Sequence, residues 1–180
     1  MLIVLEGCPA TGKSEVGRAL ASLLSMPHID YAQYLLEKGA ADVEGDEIVI
    51  NEREARDLLK DITSGIVSGI YSLEYLDPEK VYMAYVLRCN PRILLYRYLL
   101  RGYSLSKIRD NLGAEYLDLC LKMAIERVSI DKVSQLDVSY TTPQYAALRI
   151  YDSITRGRRI FDRVDWLSQI RSPFELIFIR

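Results

Sequence analysis

The 180-residue chain contains few of the residues that build disulfides and metal sites. Its three cysteines, Cys8, Cys89 and Cys120, are an odd number with no CxxC pair and no other metal-ligand spacing. This pattern excludes a disulfide framework and favours a reduced, cytoplasmic compartment. The one histidine, His28, stands next to Pro27 at the start of an apolar segment, and we expect a structural role for it.

The chain also lacks a long apolar run and an excess of charge of one sign. No segment approaches 18 uninterrupted apolar residues, so we expect none to span a membrane. The apolar start, residues 2–5, is short and no basic region precedes it, so we expect no signal peptide. With 23 Lys and Arg against 25 Asp and Glu, the net charge is −2. This charge gives no general attraction to DNA or to an anionic membrane.

What the sequence does contain is a phosphate-binding loop at residues 7–14, which read Gly-Cys-Pro-Ala-Thr-Gly-Lys-Ser. This is the pattern G-x-x-x-x-G-K-[ST], whose glycines let successive backbone N–H groups turn inward around a polyphosphate. Lys13 would place its charge on the β- and γ-phosphates, and the Ser14 hydroxyl would take one Mg²⁺ position. An apolar strand precedes the loop and an amphipathic helix follows it, with the positive helix end at the phosphates. The sequence therefore predicts binding of a nucleoside triphosphate.

Strands and helices alternate along the rest of the chain. Apolar segments predict strands at 2–5, 26–30, 65–70, 81–87 and 133–138, and helical periodicity predicts helices at about 16–24, 31–38, 51–64, 91–101 and 104–127, with two closing helices. Residues 39–47 are polar and glycine-punctuated, which indicates a loop or a small mobile insert. Together these predict an α/β P-loop NTPase fold of the nucleoside monophosphate kinase type. We expect one domain, residues 1–180, with a five-stranded parallel sheet flanked by helices.

Five arginines follow the fourth predicted strand within about 20 residues: Arg88, Arg92, Arg97, Arg101 and Arg109. Small-molecule kinases place arginines there, on a lid that closes over the transferred phosphoryl group, because charge spreads over several oxygens in the transition state. Closure also expels water that would otherwise hydrolyse ATP.

Three short segments and one acid in this region are similar to a known family. Residues 87–91 (Leu-Arg-Cys-Asn-Pro), 101–104 (Arg-Gly-Tyr-Ser) and 107–111 (Lys-Ile-Arg-Asp-Asn), with Glu115, resemble the adenylate kinase isoenzyme 6 family. The similarity runs from Leu2 to about Pro143 and is faint between about 42 and 79. Residues 164–167 also look like the closing Asp-Trp-Leu helix of that family.

The resemblance implies the reaction of ATP with AMP to give two ADP, with Mg²⁺ and with ATPase activity alongside. It also implies a role in small ribosomal subunit maturation, with a small-subunit platform ribosomal protein or pre-ribosomal RNA as partner. An insert at about 30–51 would hold the monophosphate through Asp30, a lid at about 100–110 would close, and the turn at 139–142 would meet adenine. The implied ATP-binding residues are Gly7, Ala10, Thr11, Gly12, Lys13, Ser14, Glu15 and Arg101, with Ser14 on Mg²⁺ and with Lys13, Arg101 and Arg109 catalytic.

The sequence departs from the family pattern at three places. Alanine replaces glycine at Ala10, which is tolerable if its φ is negative. Glu15 replaces a Ser or Thr and brings a carboxylate close to the phosphates. At the end of the third strand, Ser68 and Ile70 stand where the family has an acid and a histidine. Either Asp30 or Glu6 supports the metal instead, or turnover is weak.

Three functions remain open on the sequence. The first is a nucleoside monophosphate kinase of adenylate kinase type. The second is a ribosome-assembly factor whose nucleotide state gates a protein contact and whose kinase activity is residual. The third is a kinase of another small acceptor, such as shikimate or gluconate.

Overall fold

A computed structural model describes residues 1–172 and Glu175. The described chain contains seven strands and seven α-helices. In order they are β1 (Leu2–Glu6), α1 (Lys13–Leu24), β2 (His28–Asp30), α2 (Tyr31–Glu37), β3 (Ala41–Glu44), β4 (Glu47–Ile50), α3 (Glu52–Leu59), β5 (Gly65–Ser68), β6 (Val81–Arg88), α4 (Pro91–Leu100), α5 (Leu105–Tyr116), α6 (Leu119–Val128), β7 (Val133–Asp137) and α7 (Pro143–Arg156). Short 3₁₀ turns lie at Ser72–Glu74, Ile130–Lys132 and Leu167–Gln169.

Five strands form one parallel sheet in the order β2-β5-β1-β6-β7, which confirms the predicted five-stranded sheet. Strand β1 lies at its centre and is fully buried, because helices cover both faces of the sheet. In the register Leu5 lies opposite Ser68 of β5 and Tyr85 of β6. The carboxyl ends of the central strands therefore meet at one edge, where β1 leads into residues 7–12.

Side-chain caps fix where several helices begin. A side-chain oxygen of the residue before the helix accepts a hydrogen bond from a backbone N–H of the first turn, which satisfies a donor that the helix itself leaves free. Pro91 and Pro143 occupy first helical positions, where the missing N–H is no loss. The capping residues are Asp30, Asn51, Asn90, Ser104 and Thr142.

Residues 39–47 are not the loop that the sequence predicts. Most of this segment belongs to an antiparallel hairpin of β3 and β4, with Gly45 at the turn in a left-handed conformation (φ 64°). Its side chains are largely exposed, including Val43 and Val49. Because neither face of the hairpin is buried in the core, the sequence carries no burial pattern that would have identified the strands.

The predicted long helix 104–127 is also wrong, since the chain forms two helices there. Asp118 between α5 and α6 has a left-handed backbone (φ 58°), and its carboxylate accepts a hydrogen bond from Arg88 Nη2 at 2.5 Å. The residue at the break between the two helices is thus bonded to the buried guanidinium of Arg88. Of the two predicted closing helices, α7 is present. The second is reduced to the 3₁₀ turn at Leu167–Gln169 within the described residues, and its remainder falls on positions outside them.

None of the helices in the described chain combines the length and the apolar character needed to cross a membrane.

Candidate functional site: a phosphate-binding loop between two cavities

The loop between β1 and α1 has the conformation that a phosphate-binding nest requires. Gly7 has φ 142°, and a Cβ there would overlap the Leu87 carbonyl oxygen. Gly12 has φ 95° and ends the loop directly before α1. The Thr11 hydroxyl donates to the Cys8 carbonyl at 2.9 Å, which holds the turn. The loop thus leads directly into the N-terminus of α1, where free backbone N–H groups and the helix dipole favour an anion.

Lys13 lies across this loop. Its Nζ donates to the carbonyl oxygens of Gly7 at 2.8 Å and of Cys8 at 2.9 Å. Burial lowers the pKa of the ammonium, so bound anionic phosphates would stabilise its charge. The carbonyl contacts hold the Lys13 ammonium over the loop, and its contact with phosphates stays a prediction.

Two oxygen ligands suited to a hard cation come together next to Lys13. The Ser14 hydroxyl donates to Asp30 Oδ2 at 2.5 Å, and Asp30 stands at the end of β2. Within the described residues there is no cluster of three or more His, Cys, Asp or Glu side chains that could hold a metal by itself. A cation here would therefore complete its coordination with phosphate oxygens and water, which is the usual arrangement for Mg²⁺ beside ATP.

Glu6, the other carboxylate considered for the metal, is committed elsewhere. It is fully buried and accepts hydrogen bonds from the Ser72 hydroxyl at 2.6 Å and from the backbone N–H groups of Tyr71 and Leu73, both at 2.9 Å. Burial raises the pKa of Glu6 to about 7, although these hydrogen bonds lower it. Glu6 thus holds the loop after β5 in place.

At the end of β5, a histidine does lie next to Ser68, although it comes from another strand. His28 Nε2 of β2 is 2.8 Å from Ser68 Oγ, and Ser68 is buried. A Cβ at Gly17 would overlap the His28 ring, so this glycine makes room for it. Ile70 lines the cleft. Sequence analysis missed the contact because 40 residues separate His28 from Ser68.

A cleft of about 560 Å³ opens on one side of the loop. The hairpin of β3 and β4 and the start of α5 face each other across it, and Asp46 at the hairpin tip accepts a hydrogen bond from the Ser104 N–H at 3.1 Å. The predicted insert and the predicted lid are thus in contact. Besides the loop residues, the walls comprise Asp30, Tyr31, Ala32, Glu47, Ile48, Ile50, Ser68, Gly69, Ile70, Tyr71, Glu74, Tyr75, Arg101, Tyr103, Lys107, Asp110 and Asn111.

A second cavity of about 240 Å³ lies on the other side of the loop, against α7. Thr141 and Thr142, from the turn predicted to meet adenine, line it. Four residues line both cavities and so mark the junction between them: Ala10, Gly12, Glu15 and Arg101. Two ligands bound in the two cavities would meet over the phosphate-binding loop.

The clustered arginines separate into different environments. Arg101 reaches both cavities, and Arg97 Nη1 donates to the Ala10 carbonyl at 2.7 Å. Arg109 is exposed, forms an ion pair with Asp110 at 3.3 Å and lines neither cavity. In this conformation Arg101 therefore lies at the loop and Arg109 does not.

The remaining two arginines of the cluster have structural contacts, which corrects their interpretation as lid residues. Arg88 is buried and bonded to Glu115 at 2.8 Å. Arg92 pairs with Glu175 at 2.8 Å. Both guanidinium groups are occupied by carboxylates, and neither arginine lines either cavity.

Two residues that depart from the family pattern, Ala10 and Glu15, have different surroundings in the structure. Ala10 has φ 60°, so the condition of a negative φ, under which alanine would replace glycine without strain, is not met and the alanine occupies the left-handed region. Glu15 projects from the first turn of α1 with its side chain about half exposed, and its carboxylate is 3.9 Å from Arg18. The Glu15 charge is thus largely solvated and partly paired.

Comparison with known proteins shows the family of the chain. The model of the AAA domain matches residues 3–118. A "Putative adenylate kinase" of Archaeoglobus fulgidus is 34% identical over 183 residues, covering 97% of each chain. Another with the same name, from Pyrococcus furiosus, is 31% identical over 170 residues, covering 92% of this chain and 91% of its own length.

Among solved structures, a shikimate kinase from Acinetobacter baumannii in complex with shikimate is similar in fold. Its TM-score is 0.63 at 18% identity, and the match covers 87% of this chain and 93% of that one. At this level of identity the likeness shows the P-loop kinase fold alone.

Proposed function

The chain belongs to the AAA domain family and to the adenylate-kinase-like proteins, it is a phosphotransferase, and from this premise we propose that it transfers the γ-phosphoryl group of ATP to AMP. The observation that carries the proposal is the pair of cavities that meet over one phosphate-binding loop. ATP would occupy the loop, with its base in the smaller cavity beside Thr141 and Thr142. The monophosphate would occupy the larger cleft, so that its phosphate meets the γ-phosphate above Lys13.

The walls of the larger cleft favour a nucleoside over a polyol acceptor. Tyrosine rings, among them Tyr31, Tyr71 and Tyr75, and isoleucines, among them Ile48 and Ile50, contribute to these walls. Flat aromatic and aliphatic surfaces suit a planar base, because stacking and burial of apolar area stabilise it. A polyol such as shikimate would leave much of this surface without a partner.

In the proposed reaction an oxygen of the acceptor phosphate attacks the γ-phosphorus. The bond from that phosphorus to the β–γ bridging oxygen breaks, and two ADP result. Lys13 and Arg101 would hold positive charge against the phosphate oxygens, where the transition state is most negative. Ser14 and Asp30 would hold Mg²⁺, which supplies further charge neutralisation when it is bound with ATP. Whether Arg109 joins them on closure stays a prediction.

The test is replacement of the loop lysine. Lys13→Ala should reduce ADP formation from Mg·ATP and AMP by at least about 10²-fold, because it removes a charge aimed at the transferred group. Lys122→Ala, at an exposed position on α6 outside both cavities, is the matched control and should keep its activity. Circular dichroism would check that both variants fold. Full activity of folded Lys13→Ala would overturn the proposal.

The same assay separates the other functions when AMP, other monophosphates and shikimate are offered in turn. ADP formation only with AMP supports the proposal. Slow ADP formation without any acceptor would favour a nucleotide-gated factor in small ribosomal subunit maturation, bound to a ribosomal protein or pre-ribosomal RNA. The absence of the family's acid and histidine at Ser68 and Ile70 is the observation in favour of that second candidate.

A further inference from the structure

A segment after α7 extends the sheet beyond its last strand. Phe161 forms a parallel bridge with Gln135 of β7. The Gln135 N–H donates to the Ile160 carbonyl at 2.8 Å, and the Asp162 N–H donates to the Gln135 carbonyl at 3.0 Å. Because β7 is the last strand in the sheet order, residues 159–163, the edge segment, form the border of the sheet on that side in the part of the chain that the structure describes.

The backbone of the edge segment has free hydrogen-bonding groups. In a parallel ladder the residues before and after the bridging residue bond the neighbouring strand, so the bridging residue points its own N–H and C=O away from that strand. The outward groups are those of Arg159, Phe161 and Arg163, and they form no hydrogen bond within residues 1–172 and Glu175. Such a row can pair with one more extended strand.

The side chains of the edge segment alternate as in a strand. Arg159, Phe161 and Arg163 are exposed, Phe161 by 54%, and they lie on one face. Ile160, on the other face, packs against the core. The next exposed residue, Asp165, accepts a hydrogen bond from the backbone of the following 3₁₀ turn. The edge segment therefore presents an aromatic ring between two guanidinium groups.

The exposed row carries positive charge that no nearby carboxylate neutralises. Among the described residues the Arg163 side chain has no hydrogen bond or ion pair. Arg159 donates to the Ile130 carbonyl at 2.6 Å, which leaves its charge unpaired. The one carboxylate of the edge segment, Asp162, faces away and accepts from Arg149 at 2.7 and 2.8 Å. A partner at this edge would meet net positive charge around an apolar ring.

A second copy of the chain does not fit this edge. Two identical edges that pair about a two-fold axis run antiparallel, and a pair centred on Phe161 would set Arg159 of each copy opposite Arg163 of the other. Like charges directly opposite each other destabilise a strand pair. The occupant that the edge segment favours is therefore a different chain with acidic side chains.

We propose that the edge segment binds an extended acidic segment of a protein partner by strand addition, with main-chain hydrogen bonds to Arg159, Phe161 and Arg163. The partner would carry carboxylates opposite the two arginines and an apolar side chain opposite the ring. Its pattern is acidic-x-apolar-x-acidic, because side chains on one face of a strand recur at every second residue. Main-chain pairing gives the affinity, and the cross-strand pairs give the selectivity.

The probe is a labelled synthetic peptide with the central sequence Glu-Thr-Val-Thr-Glu, whose binding to the full chain is measured by fluorescence anisotropy. A peptide with lysine in place of both glutamates should bind at least about tenfold more weakly, because the cross-strand charge pairs become repulsive. N-methylation of the valine and of the following threonine removes the pairing donors for either strand direction. It should also weaken binding by at least about tenfold.

Arg163→Glu should weaken binding of the acidic peptide by about tenfold, and one of the two peptides with a single glutamate replaced by lysine should restore it. Arg158→Glu is the matched control, since Arg158 is exposed and its N–H bonds the Ser153 carbonyl instead of pointing to the free edge. Screening should limit its effect to about threefold at physiological salt. Hydrogen exchange of the Phe161 amide should slow by at least about tenfold when the peptide is bound.

Failure of the acidic peptide to bind overturns the proposal, and so does undiminished binding of the N-methylated peptide. Equal losses in the two arginine variants would overturn it as well. If oligouridylate bound and showed those equal losses, the edge would instead be a face for single-stranded nucleic acid. Circular dichroism would check that both variants fold.

Discussion

At the scale of single residues, the phosphate-binding loop contains a local conflict between side chain and backbone. Ala10 adopts φ 60°, a conformation that costs a residue with a Cβ about 1–2 kcal/mol. Its carbonyl oxygen is bonded to Arg97, and its side chain is buried. The surrounding contacts therefore hold the alanine in a position that glycine would occupy at less cost.

Ala10→Gly should raise the free energy of unfolding by about 0.5–1 kcal/mol. The relief of left-handed strain exceeds the extra conformational entropy that glycine brings to the unfolded chain. Urea denaturation would measure the change. Ala21→Gly within α1 is the control with the opposite sign, since glycine costs about 1 kcal/mol inside a helix. A loss of stability in Ala10→Gly equal to that of the control would contradict the reasoning.

At the scale of elements, the connection between α4 and α5 carries the arginine that reaches both cavities. The connection is a short turn, Arg101–Ser104, with Gly102 left-handed at φ 67°. Tyr103 stacks on Tyr98 at 5.4 Å between ring centroids, and Asp46 of the hairpin bonds Ser104. The turn is thus anchored through Tyr103 and Ser104, which follow Arg101, and the Arg101 side chain is exposed.

Arg101→Ala should lower kcat by about 10²-fold and raise the KM for ATP much less, because the guanidinium acts on charge that develops in the transition state. Steady-state kinetics with ATP and AMP would measure both constants. Arg53→Ala, at an exposed position on α3, serves as control. Unchanged kinetics of the Arg101→Ala variant would show that Arg101 is a surface charge without a role in the reaction.

Arg109→Ala, measured alongside, decides whether closure brings that side chain to the phosphates as the sequence predicts. A loss of kcat would require α5 to move, since Arg109 lines neither cavity in the structure.

At the scale of the whole molecule, one buried ionic cluster ties the sheet to the helices and to the C-terminal segment. Arg88 of β6 bonds the Glu115 carboxylate of α5 at 2.8 Å, Asp118 at 2.5 Å and Gln135 of β7 at 2.9 Å. Trp166 Nε1 donates to the same Glu115 carboxylate at 2.9 Å. Burial alone would lower the pKa of Arg88, but the charges of Glu115 and Asp118 outweigh it and raise the pKa.

Glu115→Ala should therefore destabilise the fold by about 3–5 kcal/mol, because it leaves a buried guanidinium without its main counter-charge. Chemical denaturation followed by fluorescence of Trp166, the single tryptophan, would measure the loss. Arg156→Ala breaks the exposed pair with Asp152 and should cost at most about 1 kcal/mol. Equal losses of stability in the two variants would show that burial of the cluster contributes nothing to the free energy of unfolding.

The sequence by itself determined the features that depend on contiguous residues. The phosphate-binding loop is one, since Gly7, Gly12, Lys13 and Ser14 act through neighbouring backbone groups. The five strands of the parallel sheet and most helices are another, because a buried parallel strand needs an apolar run and a helix on the sheet needs one apolar face. The fold class and the position of the nucleotide site follow from these two facts.

The tertiary structure alone decided the contacts between distant residues. It set Asp30 against Ser14, placed His28 beside Ser68 and buried Arg88 on Glu115. An arginine or a tyrosine has the same local pattern whether it meets a carboxylate, a ligand or water. What it meets depends on which elements the sheet order brings together. Residues 16 or more positions apart carry no local record of that order.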